Sequence, residues 1–475
     1  MNVFRKFFSV GYMVKPEYQR GEIIRSKEAY KNLISIAVPS IIEMVFVSLI
    51  GSVDVIMVGR LGYRAVAAVG LSSYPRYIMQ SLFIALNVGV TAIVARRKGE
   101  ESPDRANQTV RNALVLTTIL TAAVTALTLV FSRQILLVAG AQPDTIDTAN
   151  DFFRIITCFL PVNTITMCIN AAQRGVGDTR TTMVANLAAN IFNIFFDYLL
   201  IYGNWGFPKL GVVGDAWGSG IGICVGLILS VAALITGKGG SRFLRISFKD
   251  NWRLSKETVK SILKIGGNTA VEQVAQSVGF FIFGIVVANL GTEAFAALQV
   301  GNQFITFSFN FGSGLAVAAV SLVGQMLGKK RPDLAIVYAK CAQRLALFIS
   351  IGLAACIAIF RGPLVGVFLD RSDSANVLAA GMAVDIMLVI ALIQPPQTSS
   401  MVYAGCLRGS GDNFYVAVSM IICVAVVRPL FSFLAVNAFG FGIIGAWGAA
   451  FCDTGLRFIL TFRRFSGPKW HNKKV

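Results

Sequence analysis

The sequence predicts an all-α integral membrane protein. Twelve spanning helices are expected, as two pseudo-symmetric six-helix bundles around a central cavity. Three observations carry this expectation. First, the 475 residues are 55% hydrophobic and only 14% charged, where soluble globular chains carry about 25% charged residues. With a mean hydropathy of +0.67, a soluble core could not hide that much apolar surface. Second, the apolar residues form continuous runs of about 20 rather than alternating, which selects helices over a barrel. Third, the two halves of the chain resemble each other at a nearly constant offset.

The elements follow in order. A basic arm (1–30) precedes the first apolar run, which starts near Leu33, and it lacks the pattern of a cleavable signal. Spans are expected around Val45, Leu82, Ala122, Leu160, Ile194 and Val225, forming a first bundle over 31–237. A basic linker covers 238–258. The second bundle, 259–464, has spans around Val274, Phe309, Ile349, Ile390, Val424 and Phe451, and a tail covers 465–475. If the N-terminus is cytoplasmic, the two tails and every second loop hold 34 of the 43 Lys and Arg residues. That asymmetry places both termini and the linker in the cytoplasm. It also explains the formal net charge of +19 without a nucleic-acid partner, because the basic residues lie in short runs between apolar stretches.

Four ordered matches define the repeat. LGYRAVAAVGL (61–71) corresponds to LGTEAFAALQV (290–300), and KGEESPDRA (98–106) to LGKKRPDLA (327–335), both at offset 229. QRGVGDT (173–179) corresponds to LRGSGDN (407–413) at offset 234, and GVVGDAWG (211–218) to GIIGAWG (442–448) with one gap. Two such repeats suit a transporter with its site at the repeat interface.

Each half then serves as the control for the other. Asp54, on the first span, aligns with Phe283, while Asn193 and Asp197, on the fifth, align with Val427 and Phe431. Asn193 and Asp197 are four residues apart, hence on one helix face. A carboxylate inside the bilayer costs roughly 2.5–3.5 kcal/mol on insertion scales, so it is normally paired, protonated or ion-bound. Two readings are open: solvation at the membrane interface, or a cation site in the first bundle. For a cation, two carboxylates, an amide and the Ser219 hydroxyl suit Na⁺, and carboxylates sharing a proton suit H⁺.

Glu43 and Glu272 match each other at offset 229, so they are either architectural or face the cavity from both sides. Arg428, followed by Pro429, needs a carboxylate or a wet cavity. Asp453 and Arg457, four apart on the twelfth span, are expected to pair locally. Gln299, Gln303 and Gln397 add polar groups to the second bundle. Pro39, Pro75, Pro161, Pro395 and Pro429 are expected to kink their helices.

Other functions find no support. The eight cysteines are scattered, with no C-x-x-C pair. The one histidine, His471, lies in the polar tail, which argues against His-based catalysis or a His-rich metal site. No phosphate-loop motif is present, and no enzymatic activity or bound cofactor is expected.

With these motifs together, the chain resembles the multidrug and toxic compound extrusion (MATE) family over about residues 30–465. The resemblance rests on the duplicated unit, VDVIMVGRLG, RGVGDTR, RGSGDN, the Asn193-x-x-x-Asp197 pattern and Glu272. It implies export of cationic, amphipathic drugs across the cell membrane, in exchange for inward H⁺ or Na⁺. It further implies a coupling site at Asp54, Asn193, Asp197 and Ser219, the last replacing a common threonine. Any Na⁺ would lie at Asp54, Asn193 and Asp197. Glu272 matches an acidic position, but Gln397 stands where cation-binding relatives have an Asp. Coupling is therefore expected in the first bundle. Glu43, Glu272, Gln299, Gln303, Gln397 and Arg428 remain substrate or cavity candidates. A monomer is sufficient, with membrane lipid as its surroundings. The alternative is a flippase for lipid-linked saccharide precursors.

Overall fold

The computed structural model describes residues 7–14, 16, 19–143, 145–237, 243–247, 250–369 and 377–470. His471, the first residues of the expected linker and the end of the tail lie outside the described residues. Those described are almost wholly helical.

The first repeat comprises α1 (Ser26–Gly59), α2 (Tyr63–Gly99), α3 (Pro103–Val130), the short α4 (Ser132–Val138), α5 (Ile146–Cys158), α6 (Leu160–Gly175), α7 (Thr179–Tyr202) and α8 (Val212–Thr236). The second comprises α9 (Lys256–Ala288), α10 (Thr292–Gly328), α11 (Pro332–Gly366), α12 (Val377–Ser410), α13 (Asn413–Met420), α14 (Arg428–Phe433) and α15 (Gly442–Ser466). Among the described residues, eleven helical stretches are long and apolar enough to cross a membrane, and twelve if α5 and α6 count as one bent span. Even α7, with 24 residues, is about 36 Å long at 1.5 Å per residue, enough for a hydrocarbon core of about 30 Å. All twelve expected centres fall in these elements.

The fourth span is broken by 44° between α5 and α6. Pro161 sits in the first turn of α6 and lacks the N–H that a continuous helix would need there. The eleventh span is distorted differently. A π-helical stretch (Ile421–Val427) links α13 to α14, and a second (Leu434–Ala438) follows α14. Pro429 has no N–H, and the Arg428 N–H bonds to the Cys423 carbonyl, five residues back. Gly279 of α9 packs against the carbonyl of Val424, where any side chain would collide.

The chain forms two compact units: Ile42–Gly267, and Met1–Ile41 with Asn268–Val475. The divisions thus fall inside α1 and α9, not at the polar segments that the sequence marks. The reason is visible at the start of each repeat. Val10, Met13 and Val14 of the arm are buried with Leu33, Leu315, Tyr338 and Trp470. The Lys340 ammonium donates to the Met13 carbonyl at 2.6 Å, and the Arg20 N–H to Asp333 at 3.1 Å. The segment before α9 does the same for the first repeat. Arg111 pairs with Asp250 at 3.0 Å, and the Arg245 N–H donates to Asn107 at 3.0 Å. Ser26-Lys27-Glu28 and Ser255-Lys256-Glu257 open α1 and α9 at the same offset of 229, a further match between the repeats. Each leading segment packs on the opposite repeat.

Candidate ion-coupling site

The site lies in the unit 42–267 and is held by the packing of α7 on α8. Asp178 caps α7, accepting from the Thr181 hydroxyl at 2.8 Å, and Gly203 ends it in the left-handed conformation at φ 74°. Gly214, Gly218, Gly222 and Gly226 recur every four residues along α8. This stripe lets the two backbones approach closely. A Cβ at Gly222 would lie 2.9 Å from Asn193 Cβ, and one at Gly218 would lie 2.8 Å from Asp197 N and strike Asp197 Oδ1. At Gly220 the ring of Phe159, from the α5–α6 break, occupies the space a side chain would need.

The glycines thus press Asp197 and Asn193 against the α8 backbone. Asp197 is fully buried. Asn193 Nδ2 donates to Asp197 Oδ2 at 2.6 Å and to Ser219 Oγ at 3.2 Å. The structure therefore brings Asn193, Asp197 and Ser219 together. Asp54, half-buried on α1, is electrostatically coupled to Asp197. One oxygen of each carboxylate, Asp54 Oδ1 and Asp197 Oδ1, is enclosed without a hydrogen-bond donor among the described residues. Such atoms can accept a proton or a cation. Among the described residues, no three His, Cys, Asp or Glu side chains gather as a metal-holding group.

Two further charges belong to this neighbourhood. Asp215, in the first turn of α8, is 4% exposed and electrostatically coupled to Asp54 and to Arg76 of α2. Sequence reasoning passed over Asp215, although a signal was present: it is the residue that GIIGAWG lacks relative to GVVGDAWG. Val53, Ile56 and Met57 of α1, Arg60 just after it, and Ile191, Ile194, Phe195, Tyr198 and Tyr202 of α7 line a cleft of about 540 Å³. The Tyr202 hydroxyl donates to the Met57 carbonyl at 2.9 Å and ties the two helices.

The other candidates lie elsewhere. Glu43, 4% exposed, pairs with Arg174 and accepts from Asn186 at 2.6 Å and Thr182 at 3.2 Å. In the other unit Glu272 pairs with Arg408. Arg174 and Arg408 are themselves equivalent, at offset 234, so the repeats contain the same glutamate–arginine pair. The duplication supports an architectural role for both. Glu272→Ala should leave the Arg408 charge without its partner and lower stability by about 3 kcal/mol, read as a fall in the melting temperature in detergent. Glu43→Ala should do the same through Arg174.

Gln397 is buried, whereas Gln299 and Gln303 are exposed on α10. Arg428 donates from Nε to Asp453 Oδ2 at 2.6 Å and lies 4.6 Å from the Phe280 ring centre. This corrects the expected Asp453–Arg457 pair. Arg457 instead directs a guanidinium N–H to Met420 Sδ at 3.3 Å. Arg428 and Arg457 are buried alike, at 7% and 9% exposed, and Asp453 pairs across the helices with Arg428 rather than along its own helix with Arg457.

A duplicated set of spans, with an acidic centre buried in one copy, is the build of a membrane transporter. Comparison with known proteins agrees. A family model described as MatE matches residues 39–199 and 269–434, one stretch in each repeat. The chain belongs to the MatE family. It is 27% identical over 455 residues to a protein of Thermotoga maritima named "probable multidrug resistance protein NorM", covering 94% of each chain. It is 26% identical to the "uncharacterized transporter YisQ" of Bacillus subtilis, covering 93% of this chain and 95% of the other. A solved multidrug resistance MATE family transporter in an outward-facing conformation superposes with a TM-score of 0.84 at 22% identity, over 92% of this chain and 96% of that one. A MOP superfamily transporter from Pyrococcus furiosus, described as having a binding pocket of reverse polarity, gives 0.84 at 21%, over 92% and 95%. At these identities the likeness to solved structures is one of fold.

Proposed function

We propose that this protein exports cationic, amphipathic compounds from the cell in antiport with inward H⁺ or Na⁺, by alternating access. The observation that carries the reading is the centre of Asp54, Asn193, Asp197 and Ser219, built in one repeat and absent from the other. Paired acids that serve only the fold are duplicated, as Glu43 and Glu272 are. Asp54 and Asp197 take up the coupling cation, and its occupancy weakens drug binding. By linkage, drug binding weakens cation binding by the same factor. The cleft between α1 and α7 presents three aromatic rings, Phe195, Tyr198 and Tyr202, together with the Arg60 side chain. Its rings offer a flat organic compound stacking and cation–π contact, next to the fixed charge of Arg60. The protein resides in the cell membrane with both termini cytoplasmic and works as a monomer.

The flippase reading is not favoured. A pyrophosphate would need free cations, but Arg428 is neutralised by Asp453, and Arg76 lies among carboxylates. The names of the relatives also point to drug export.

Drug efflux from proteoliposomes tests the proposal. An imposed Na⁺ gradient or an imposed pH gradient should drive a cationic dye across the membrane. Movement with neither, in protein that still binds the dye, would overturn antiport.

A further inference from the structure

We propose that Asp453 is a carboxylate shared by two arginines, and that its exchange between Arg428 and Arg457 switches the eleventh span between two arrangements. The switch goes beyond the antiport reading and rests on it only where export is the readout.

Three charges lie inside the second repeat, two positive and one negative. Arg428 of α14 and Arg457 and Asp453 of α15 are 7%, 9% and 0% exposed. None has a charged counterpart in the first repeat. Arg428 falls on Ile194 at offset 234. Beyond the gap in GIIGAWG the offset is 230, so Asp453 falls on Ile223 and Arg457 on Leu227. A guanidinium does not deprotonate, and leaving one unpaired in the bilayer is costly, yet here two share one carboxylate. In the structure Arg428 holds it, with Nε donating to Asp453 Oδ2 at 2.6 Å. Arg457 has instead the Met420 thioether, a weak acceptor, at 3.3 Å. Its Nε and the other Asp453 oxygen, Oδ1, are both enclosed without a hydrogen-bond partner among the described residues. The unmet donor and the unmet acceptor are four residues apart on α15, hence on one helix face. A second pairing is thus built into that helix.

Two features make the exchange feasible. Each arginine has a weak neighbour to receive it while the carboxylate is engaged elsewhere. For Arg457 it is the Met420 sulfur. For Arg428 it is the rings of Phe280 and Phe283, whose centres lie 4.6 and 5.6 Å from the guanidinium carbon. The helix that carries Arg428 is also irregular. α14 is six residues long and lies between two π-helical stretches, a geometry frequent at functional sites. Arg428 is the one charged residue between Asn413 and Gly440. While it holds Asp453, α14 is tied to α15. Once Asp453 turns to Arg457, the polar contact left between these helices is that of the Ser432 hydroxyl with the Ala446 carbonyl, at 3.5 Å.

The test uses Arg457→Met, Arg457→Lys and Arg428→Met in the full chain. Arg457→Met removes the second partner and holds the arrangement described. It should melt at or above the wild-type temperature, since a buried cation without a carboxylate is gone, and yet lose most of its gradient-driven dye export. Arg457→Lys keeps the charge and should keep export. Arg428→Met leaves Asp453 to Arg457 and should release α14. Hydrogen–deuterium exchange over residues 421–438, measured in detergent, should then be slowest in Arg457→Met, intermediate in the wild type and fastest in Arg428→Met. If Arg428→Met does not fold, the two Arg457 variants decide. Wild-type export by Arg457→Met would overturn the switch, as would equal exchange over 421–438 in that variant and the wild type. A melting temperature that falls together with export in Arg457→Met would also overturn it, making Arg457 a packing residue. No gradient-driven export by the wild type would overturn the antiport reading, while the order of exchange rates would still decide the switch.

Discussion

Asp54→Asn should reduce gradient-driven drug export to the level of protein-free vesicles, with the chain still inserted and folded. The substitution keeps the size of the side chain and removes its charge and its proton-binding oxygen. Asp54 is half-buried, so an amide there is easily accommodated. What is lost is the electrostatic coupling between α1 and the carboxylates of α7 and α8. Drug binding should survive, because the aromatic cleft does not include Asp54. Its affinity should no longer fall as the coupling cation is added, since linkage needs both sites. Titration of a fluorescent cationic dye at several pH values, with matched export assays, reads both effects. Export at the wild-type rate in well-expressed Asp54→Asn protein would remove Asp54 from the mechanism.

The second large effect concerns packing. Gly218→Ala should both destabilise the protein and uncouple it, whereas Gly448→Ala, at the equivalent place in the other repeat, should be tolerated. A Cβ at Gly218 strikes Asp197 Oδ1 and lies 2.8 Å from Asp197 N and 3.0 Å from its Cγ. Part of that obstacle is backbone, so α7 and α8 must separate. Overpacking of this kind costs about 1–3 kcal/mol, and the Asn193–Asp197–Ser219 hydrogen bonds go with it. A Cβ at Gly448 meets nothing within 4 Å, and alanine in a helix interior is favoured over glycine by about 0.5–1 kcal/mol. Melting curves of the two variants in detergent, read by tryptophan fluorescence, should diverge in opposite directions from the wild type. Equal melting temperatures would mean that the α7–α8 contact yields without cost.

Much of this architecture is local and was legible in the chain. Spans follow from continuous apolar runs, because a helix in lipid must satisfy its backbone internally. The repeat follows from matched motifs, and comparing the halves isolates Asp54, Asn193 and Asp197 without any knowledge of the fold. Asn193 and Asp197 were predictable neighbours, since i and i+4 share a helix face. The same rule misled at Asp453 and Arg457. Spacing makes a local pair available, but Asp453 is taken by Arg428, which is buried and lies on another element. Contacts of this kind join residues far apart in sequence, and no periodicity records them. Tertiary structure alone assigned Glu43 to Arg174 and Glu272 to Arg408, buried Asp215 one turn from Ser219 on α8, and divided the compact units within α1 and α9. The elements and the acids in them are set by hydropathy and repetition along the chain. Which acid meets which cation is set by desolvation, because each charge taken into the membrane must find its partner among whatever helices fold against it.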